Sequence, residues 1–484
     1  MFGELNAEAM IRRFMQTGDK ALHNKTSLEV YSLYFGNNRR LKIFTVIGHK
    51  KRKKEATKIG EYFGENGKRT SKTPLFNTAK IRAILLFYQM ETKKTHRAGE
   101  SAAPHFFIVA GETSGDMHAA RLMKALKERE PLCQFSGIGG KEMAKEGLQS
   151  LAPPEITNVV GVWEVARRYG RLRTLLGVCA ELLESGAFDA FIPVDYPGFN
   201  LRLAETAQKR GIPVIWYIAP QLWAWGEKRS ERVRALVDML LVILPFEEEY
   251  FLHKGIQARY VGHPLLERIP SLYAPLSERA RSIALFPGSR EQEIERNLPI
   301  MLRSVELLCA RRSEARDYTP IIAHAPTIPK ELYERRIQRR SGANSAPSSL
   351  ETQGAKLFSH ARGAMVKIGT STLEAALTGT PHLAMYQASP LTYIWAKQRL
   401  RLSNVALPNI LANFAGEDLI TQEYLQSEAT PENLALEMER LLFDNDYAET
   451  MQKRCARLRE LLENPAPRGG AATNAARSVW EYIR

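Results

Sequence analysis

The chain has 484 residues, 44% of them hydrophobic, with a formal charge of +15 and four cysteines. That is enough to bury two or three cores in an ordinary globular protein, and the widely spaced Cys133, Cys179, Cys309 and Cys455 fit a reducing cytoplasm and argue against a structural zinc site. Residues 1–100 carry 21 Lys and Arg against 9 Asp and Glu, hence +12, and residues 101–484 the other 47 and 44, hence +3, so the charge is no sign of nucleic-acid binding by the main body.

Residues 1–104 read as a basic, poorly structured extension with the cluster Lys50-Lys-Arg-Lys-Lys54 and one apolar segment, Ile81 to Tyr88. The cluster could touch anionic lipid or RNA, at about 1 kcal/mol per residue near an anionic membrane. The alternatives are a solvated tail, or an upstream reading of the true start, since Met90 opens a short polar leader. The first residues lack the apolar run of a secretory signal. The longest strongly apolar run, Met239 to Phe246, falls far short of the roughly 20 residues that span a bilayer.

From Phe106 the pattern is α/β. Strand Phe106–Ala110 leads through the turn Gly111–Gly115 into a helix over Asp116–Arg129, and further strands are predicted at Ala190–Val194, Val214–Ala219, Met239–Leu244 and Ala258–Val261. The periodicity lapses around 265–281. A second cycle follows: strand Ile283–Phe286, helix Ile294–Cys309, strands Pro320–His324 and Ala364–Ile368, a polar loop Ser341–Thr352, and closing helices through Pro431–Leu442, Tyr447–Leu462 and Thr473–Ile483. Strands alternating with helices imply parallel sheets. The expected organisation is an acceptor-side Rossmann-like domain over 105–270, a nucleotide-binding one over 271–430, and helices over 431–484 that pack back or across a dimer.

Ligands in such sheets bind at strand carboxyl ends, where four loops offer chemistry. Gly111-Glu112-Thr-Ser114-Gly-Asp116 allows close backbone approach and offers two carboxylates, although Asp116 could simply cap its helix. Asp195 follows a strand directly and precedes Tyr-Pro-Gly; it could take a proton from a sugar hydroxyl or cap the helix Leu201–Lys209, a job Asn200 could do instead. Arg290, ending Pro287-Gly-Ser-Arg290, can bind a phosphate bidentately. The turn Gly369-Thr370-Ser371-Thr372 opens a helix whose first amides have no internal partner, and Glu374 could accept bonds from a ribose diol; the plain alternative is a capped helix stopped by Gly379 and Pro381.

Three other stretches are open to two readings. Val159–Leu176 mixes Trp163 and aliphatic residues with Arg167, Arg168, Arg171 and Arg173; it could meet a membrane interface or an acylated anion, or be an ordinary amphipathic helix. Pro220–Trp225 is a cleft wall or a packed aromatic loop. Asp444-Asn-Asp446 has a manganese-type spacing but falls between helices, where Asp and Asn cap, so no metal is assigned.

Ile108-Val-Ala-Gly-Glu-Thr-Ser-Gly-Asp116, Asp195-Tyr-Pro-Gly-Phe-Asn-Leu-Arg-Leu203, Ala219-Pro-Gln-Leu-Trp-Ala-Trp225, Leu244-Pro-Phe-Glu247, Val261-Gly-His-Pro264, Pro287–Arg290, Gly369–Glu374 and Leu407-Pro-Asn-Ile-Leu411 occur in the order seen in the lipid-A-disaccharide synthase family. From about residue 105 onward the chain resembles that family. The resemblance implies a GT-B fold and an inverting glycosyltransferase that needs no metal or cofactor, joining UDP-2,3-diacylglucosamine to 2,3-diacylglucosamine 1-phosphate (lipid X) through a β-1,6 bond with release of UDP. It makes Asp195 the base, with Glu112 beside it as a second catalytic candidate. Arg290, Gly369, Thr370, Ser371, Thr372, Glu374, Asn409, Ser114, Asp116 and Trp163 are then the substrate-binding candidates. It implies a peripheral enzyme at the cytoplasmic face of the inner membrane, acyl entry near Val159–Leu176, and two copies paired through the C-terminal helices. Two departures stand out: Gly226 replaces the family's Arg after Trp-Ala-Trp, and Leu411-Ala-Asn-Phe-Ala-Gly416 replaces a run that is usually basic.

Two rivals remain: a GT-B relative acting on another UDP-sugar, such as a UDP-N-acetylglucosamine epimerase, and a nucleic-acid-binding protein acting through its N-terminal arm.

Overall fold

The computed structural model describes residues 29–35, 41–47, 103–111, 113–151, 162–184, 188–269, 274–326, 328–338, 349–351, 354–388, 403–463 and 468–484. Residues 1–99 and 100–484 are two compact units. In the first, β1 (Glu29–Phe35) and β2 (Leu41–Ile47) pair antiparallel, with Phe35 opposite Leu41. This hairpin lies within the stretch where the sequence predicts little fold. Val30, Tyr31, Tyr34 and Phe35 and then Ile43, Phe44, Val46 and Ile47 are strand formers, and Gly36-Asn-Asn38 between them is turn-type sequence.

The second unit contains two sheets, and every strand pair in them is parallel. The first is built from β3 (His105–Ala110), β4 (Gln134–Ile138), β5 (Gln149–Ser150), β6 (Ala190–Val194), β7 (Ile215–Tyr217), β8 (Met239–Val242) and β9 (Ala258–Tyr260), in the order β5-β4-β3-β6-β7-β8-β9. The second is built from β10 (Ala280–Phe286), β11 (Thr319–Ala323), β12 (Ser349–Glu351), β13 (Ala361–Lys367), β14 (His382–Tyr386) and β15 (Glu423–Leu425), in the order β12-β11-β10-β13-β14-β15. β3 and β6 are buried at every position, as a sheet covered by helices on both faces requires, and they read as continuous apolar runs for that reason.

The sequence reading misses β4, β5, β12, β14 and β15. β12 lies inside the stretch expected to be a polar loop, since three residues with one aliphatic side chain, Leu350, carry no periodicity. The helix after β6 begins at Pro197, four residues ahead of the expected Leu201, because Pro is preorganised for a first helical position.

The C-terminal helices pack back onto the chain. Helix Pro431–Phe443 lies against Glu291–Arg311 and helix Asn445–Glu463 against Thr370–Leu377. The last helix, Ala471–Ile483, returns to the first sheet, where Ala475, Val479 and Trp480 join the core and Trp480 meets Phe106 edge-on with ring centres 5.5 Å apart. Trp480 is only 3% exposed, so Trp480→Ala is expected to cost about 3–5 kcal/mol. A lowered urea midpoint checks this; an unchanged one would mean that the last helix does not hold the first domain.

Candidate active site

Both sheets reverse strand order once, between β3 and β6 and between β10 and β13. Crevices at such switch points, outside the strand carboxyl ends, are where α/β sheets hold ligands. The four candidate loops follow those four strands.

In the first sheet, Gly111 admits the ring of Tyr196: a Cβ on Gly111 would stand 2.3 Å from the Tyr196 ring. Asp195 and Tyr196 both have left-handed backbones, φ 49° and 55°, and Ile218 at the end of β7 has φ 64°. Left-handed aromatic and β-branched residues are strained, and such strain collects at functional sites. Asp195 is half-buried and its backbone is held on two sides: its N–H donates to the Tyr217 carbonyl at 3.2 Å, and Asn200 Nδ2 donates to its carbonyl at 2.7 Å. The N-cap residue of the helix is Tyr196, directly after Asp195.

Asp116 is spent elsewhere. Its carboxylate accepts the amides of Gly140, Glu142 and Met143 at 2.7, 3.0 and 3.1 Å, at the start of helix Lys141–Lys145. In this structure the Asp116 side chain, 7% exposed, thus caps helix Lys141–Lys145 rather than its own helix, where the sequence reads it as a substrate contact or as the cap of its own helix. Ser114 is exposed in the first turn of helix Thr113–Arg129. Glu112 and the side chain of Trp163 lie outside the described residues, although Trp163 itself belongs to the first turn of helix Val162–Glu184.

In the second sheet, Arg290 caps helix Glu291–Arg311 with its side chain exposed, and buried Asn297 pins the loop by donating to the Pro287 carbonyl at 2.8 Å. Gly369 caps helix Thr370–Leu377; Gly369 and Thr370 are exposed and Ser371 is half-buried. Thr372 is fully buried and its hydroxyl donates back to the Gly369 carbonyl at 2.7 Å, so it can stiffen the turn but not reach a ligand. Asn409 is likewise used up. It donates to the Thr421 carbonyl and Glu423 Oε1 at 2.9 and 2.8 Å and accepts from the Ile420 and Thr421 amides at 2.9 and 3.1 Å, at 0% exposure. With all four bonding positions of its amide filled, Asn409 shapes the site from behind.

The two halves meet through residues that sequence reasoning passed over. Arg268, closing helix Pro264–Arg268, reaches Glu374 at 3.0 Å. Burial raises the Glu374 carboxyl, and Arg268 opposes the rise. Below them, burial first and then Arg121 and Arg268 hold the His118 imidazole down at about 4, while burial and then His118 hold His263 at about 3. His263 Nδ1 accepts the Leu265 amide at 3.2 Å. Elsewhere, Phe246 and Phe414 stack with centres 3.8 Å apart, and Trp223 meets both edge-on. Trp223 Nε1 donates to Glu247 at 2.9 Å, and burial raises Glu247 to about 7. The Trp-Ala-Trp and Pro-Phe-Glu motifs thus form a packed aromatic contact with helix Leu407–Phe414, and the aromatic residue in the departing run, Phe414, completes it.

His118, His263 and His382 have folded values of about 4, 3 and 4, below the unfolded 6.5, mainly through burial. A base depressed in this way contributes stability above pH 6.5 and loses it as pH falls toward 4, on the order of 3 kcal/mol per group. Glu247, raised to about 7, runs the other way and offsets about one of the three. Urea midpoints should therefore fall between pH 6.5 and 4; a flat profile would contradict the burial of these rings.

Residues 106–473 match the model of the family described as lipid-A-disaccharide synthetase. The chain belongs to that family. The synthetase relatives include the lipid-A-disaccharide synthase of Myxococcus xanthus, 37% identical over 388 residues, 78% of this chain and 98% of that one, and that of Syntrophus aciditrophicus, 36% identical over 390 residues, 78% and 97%. The activity is that of a glycosyltransferase forming the lipid A disaccharide. Among solved structures the glycotransferase of kitacinnamycin aligns with TM-score 0.53 at 14% identity over 79% of this chain and 100% of that one. A Listeria monocytogenes protein described as a UDP-N-acetylglucosamine 2-epimerase aligns with TM-score 0.52 at 13% identity over 78% and 95%. At such identities these two show the fold, which is the GT-B arrangement expected for the synthetase family.

Outside the cleft, Asp444 Oδ1 accepts the Tyr447 amide at 3.0 Å, the cap expected of the Asp-Asn-Asp run. No helix among the described residues is long and apolar enough to cross a membrane.

Proposed function

We propose that the chain condenses UDP-2,3-diacylglucosamine with 2,3-diacylglucosamine 1-phosphate. The observation that carries the reading is the pairing of Asp195, beside the strained Tyr196 at one switch point, with an open helix start at Gly369–Ser371 at the other, within a member of the synthetase family. Asp195 takes the proton of the acceptor 6-hydroxyl as that oxygen attacks C1 of the donor sugar, and the bond from C1 to the β-phosphate oxygen breaks with its electron pair leaving on UDP. Attack opposite the leaving group inverts the anomeric carbon to β. Helix-start amides and Arg290 receive the charge that develops on the diphosphate, while Glu374 holds the ribose.

In this reading residues 105–270 bind the acceptor and 271–430 the donor. The enzyme works at the cytoplasmic face of the inner membrane, with acyl chains entering beside Val162–Glu184; the Trp163 and arginine pattern supports that orientation. Pairing of two copies through the C-terminal helices belongs to the same proposal. The test is the product of the purified protein with both substrates: proton NMR should show a β linkage to O6. An α linkage would refute the inverting mechanism, and attachment at another hydroxyl would refute the 6-hydroxyl as the attacking group.

A further inference from the structure

The two anion-binding loops of the donor half are joined by one carboxylate. Glu293, in the first turn of helix Glu291–Arg311, folds back over Gly288. Its Oε2 accepts the Ser289 amide at 3.1 Å, while its Oε1 lies 2.9 Å from Lys367 Nζ and 3.6 Å from Arg290 Nη1. Gly288 has φ 128°, and a Cβ there would stand 2.5 Å from Glu293 Oε2, so the loop is shaped around this carboxylate. Lys367 Nζ in turn lies 3.7 Å from where a Cβ on Gly369 would be and 5.3 Å over the Tyr386 ring. Lys367 therefore connects the Pro287–Arg290 loop to the start of helix Thr370–Leu377. The Lys367 and Glu293 side chains are only 17% and 13% exposed, whereas Arg290 is 58% exposed. Two cations, Lys367 and Arg290, thus face one carboxylate.

A backbone amide, an ammonium and a guanidinium converging on one group are the donors a phosphate takes. We propose that Glu293 occupies a phosphate subsite of the donor's diphosphate, that Lys367, Arg290 and the Ser289 amide are its ligands, and that the diphosphate exchanges with Glu293 on binding. The proposal rests on the donor-site reading above and adds two residues to it. Lys367 is a phosphate ligand rather than a structural cation. Glu293 is a built-in competitor that keeps the cations in place and lowers the affinity for a second anion, so it also favours release of UDP.

Calorimetric titration of the full chain with UDP and with uridine separates the phosphate contribution from that of the nucleoside. Lys367→Met should weaken UDP binding about 10–100-fold, the range for hydrogen bonds to charged groups, and leave uridine within about twofold, while Lys367→Arg should recover most of the loss. Glu293→Gln keeps an acceptor for the Ser289 amide but removes the competing charge; it should tighten UDP several-fold and leave uridine alone. If Lys367→Met alters UDP and uridine equally, or neither, or if Glu293→Gln weakens UDP, the exchange is wrong although the donor site stands. Failure of the unaltered protein to bind UDP at all would overturn both.

Discussion

Asp195→Asn is expected to lower turnover by about 10²–10⁴-fold, the usual worth of a positioned general base, while UDP affinity stays within about twofold. The substitution is a clean one here. Asn tolerates the left-handed backbone as Asp does, so the φ of 49° at this position costs no more in the variant. Two bonds that hold the residue run through its backbone, to the Tyr217 carbonyl and from Asn200, and survive the change. What disappears is the basic oxygen. A single-turnover assay with donor and acceptor, beside a UDP titration, reads the two effects separately. Turnover near that of the unaltered protein would remove Asp195 from the mechanism, and a matching loss of UDP binding would assign it a structural role instead.

Glu374→Ala is expected to weaken both UDP and uridine about 10–100-fold, since a carboxylate accepting from a ribose diol makes charge-assisted bonds. The parallel loss distinguishes this residue from Lys367, whose removal should affect UDP alone. Arg268 complicates the reading in a useful way. It bonds Glu374 at 3.0 Å from the other half of the molecule, so Arg268→Ala leaves the carboxylate in place but frees its orientation, and a smaller loss is expected. If Glu374→Ala binds both ligands as tightly as the unaltered protein, the turn at Gly369 is an ordinary capped helix.

The fold was legible because parallel strands buried on both faces, such as Phe106–Ala110 and Ala190–Val194, print an apolar run with no competing interpretation. β5, β12 and β15, of two or three residues each, were not, and neither were β4 and β14, of five residues each; their position comes from pairing with a neighbour rather than from local pattern. The site was legible as a set of loops, since Gly, Pro and an acid after a strand mark a carboxyl end. Which side chains stay available was not. Asp116 and Asn409 look like ligands in the sequence, but backbone groups from residues 140–143 and 420–421 claim them. Their partners are 24 to 27 positions distant for Asp116 and 11 or 12 for Asn409, and no spacing rule links them. Arg268 and Glu293 were missed for the complementary reason: each sits in an ordinary helical stretch and joins the site only through distant contacts, Arg268 with Glu374 and Glu293 with Lys367.

The most direct test of the account follows UDP release from UDP-2,3-diacylglucosamine with and without 2,3-diacylglucosamine 1-phosphate. The account predicts release only when the acceptor is present, with one disaccharide formed for each UDP and both lost together in Asp195→Asn. Release at the same rate without acceptor, or no disaccharide when both substrates are supplied, would contradict it.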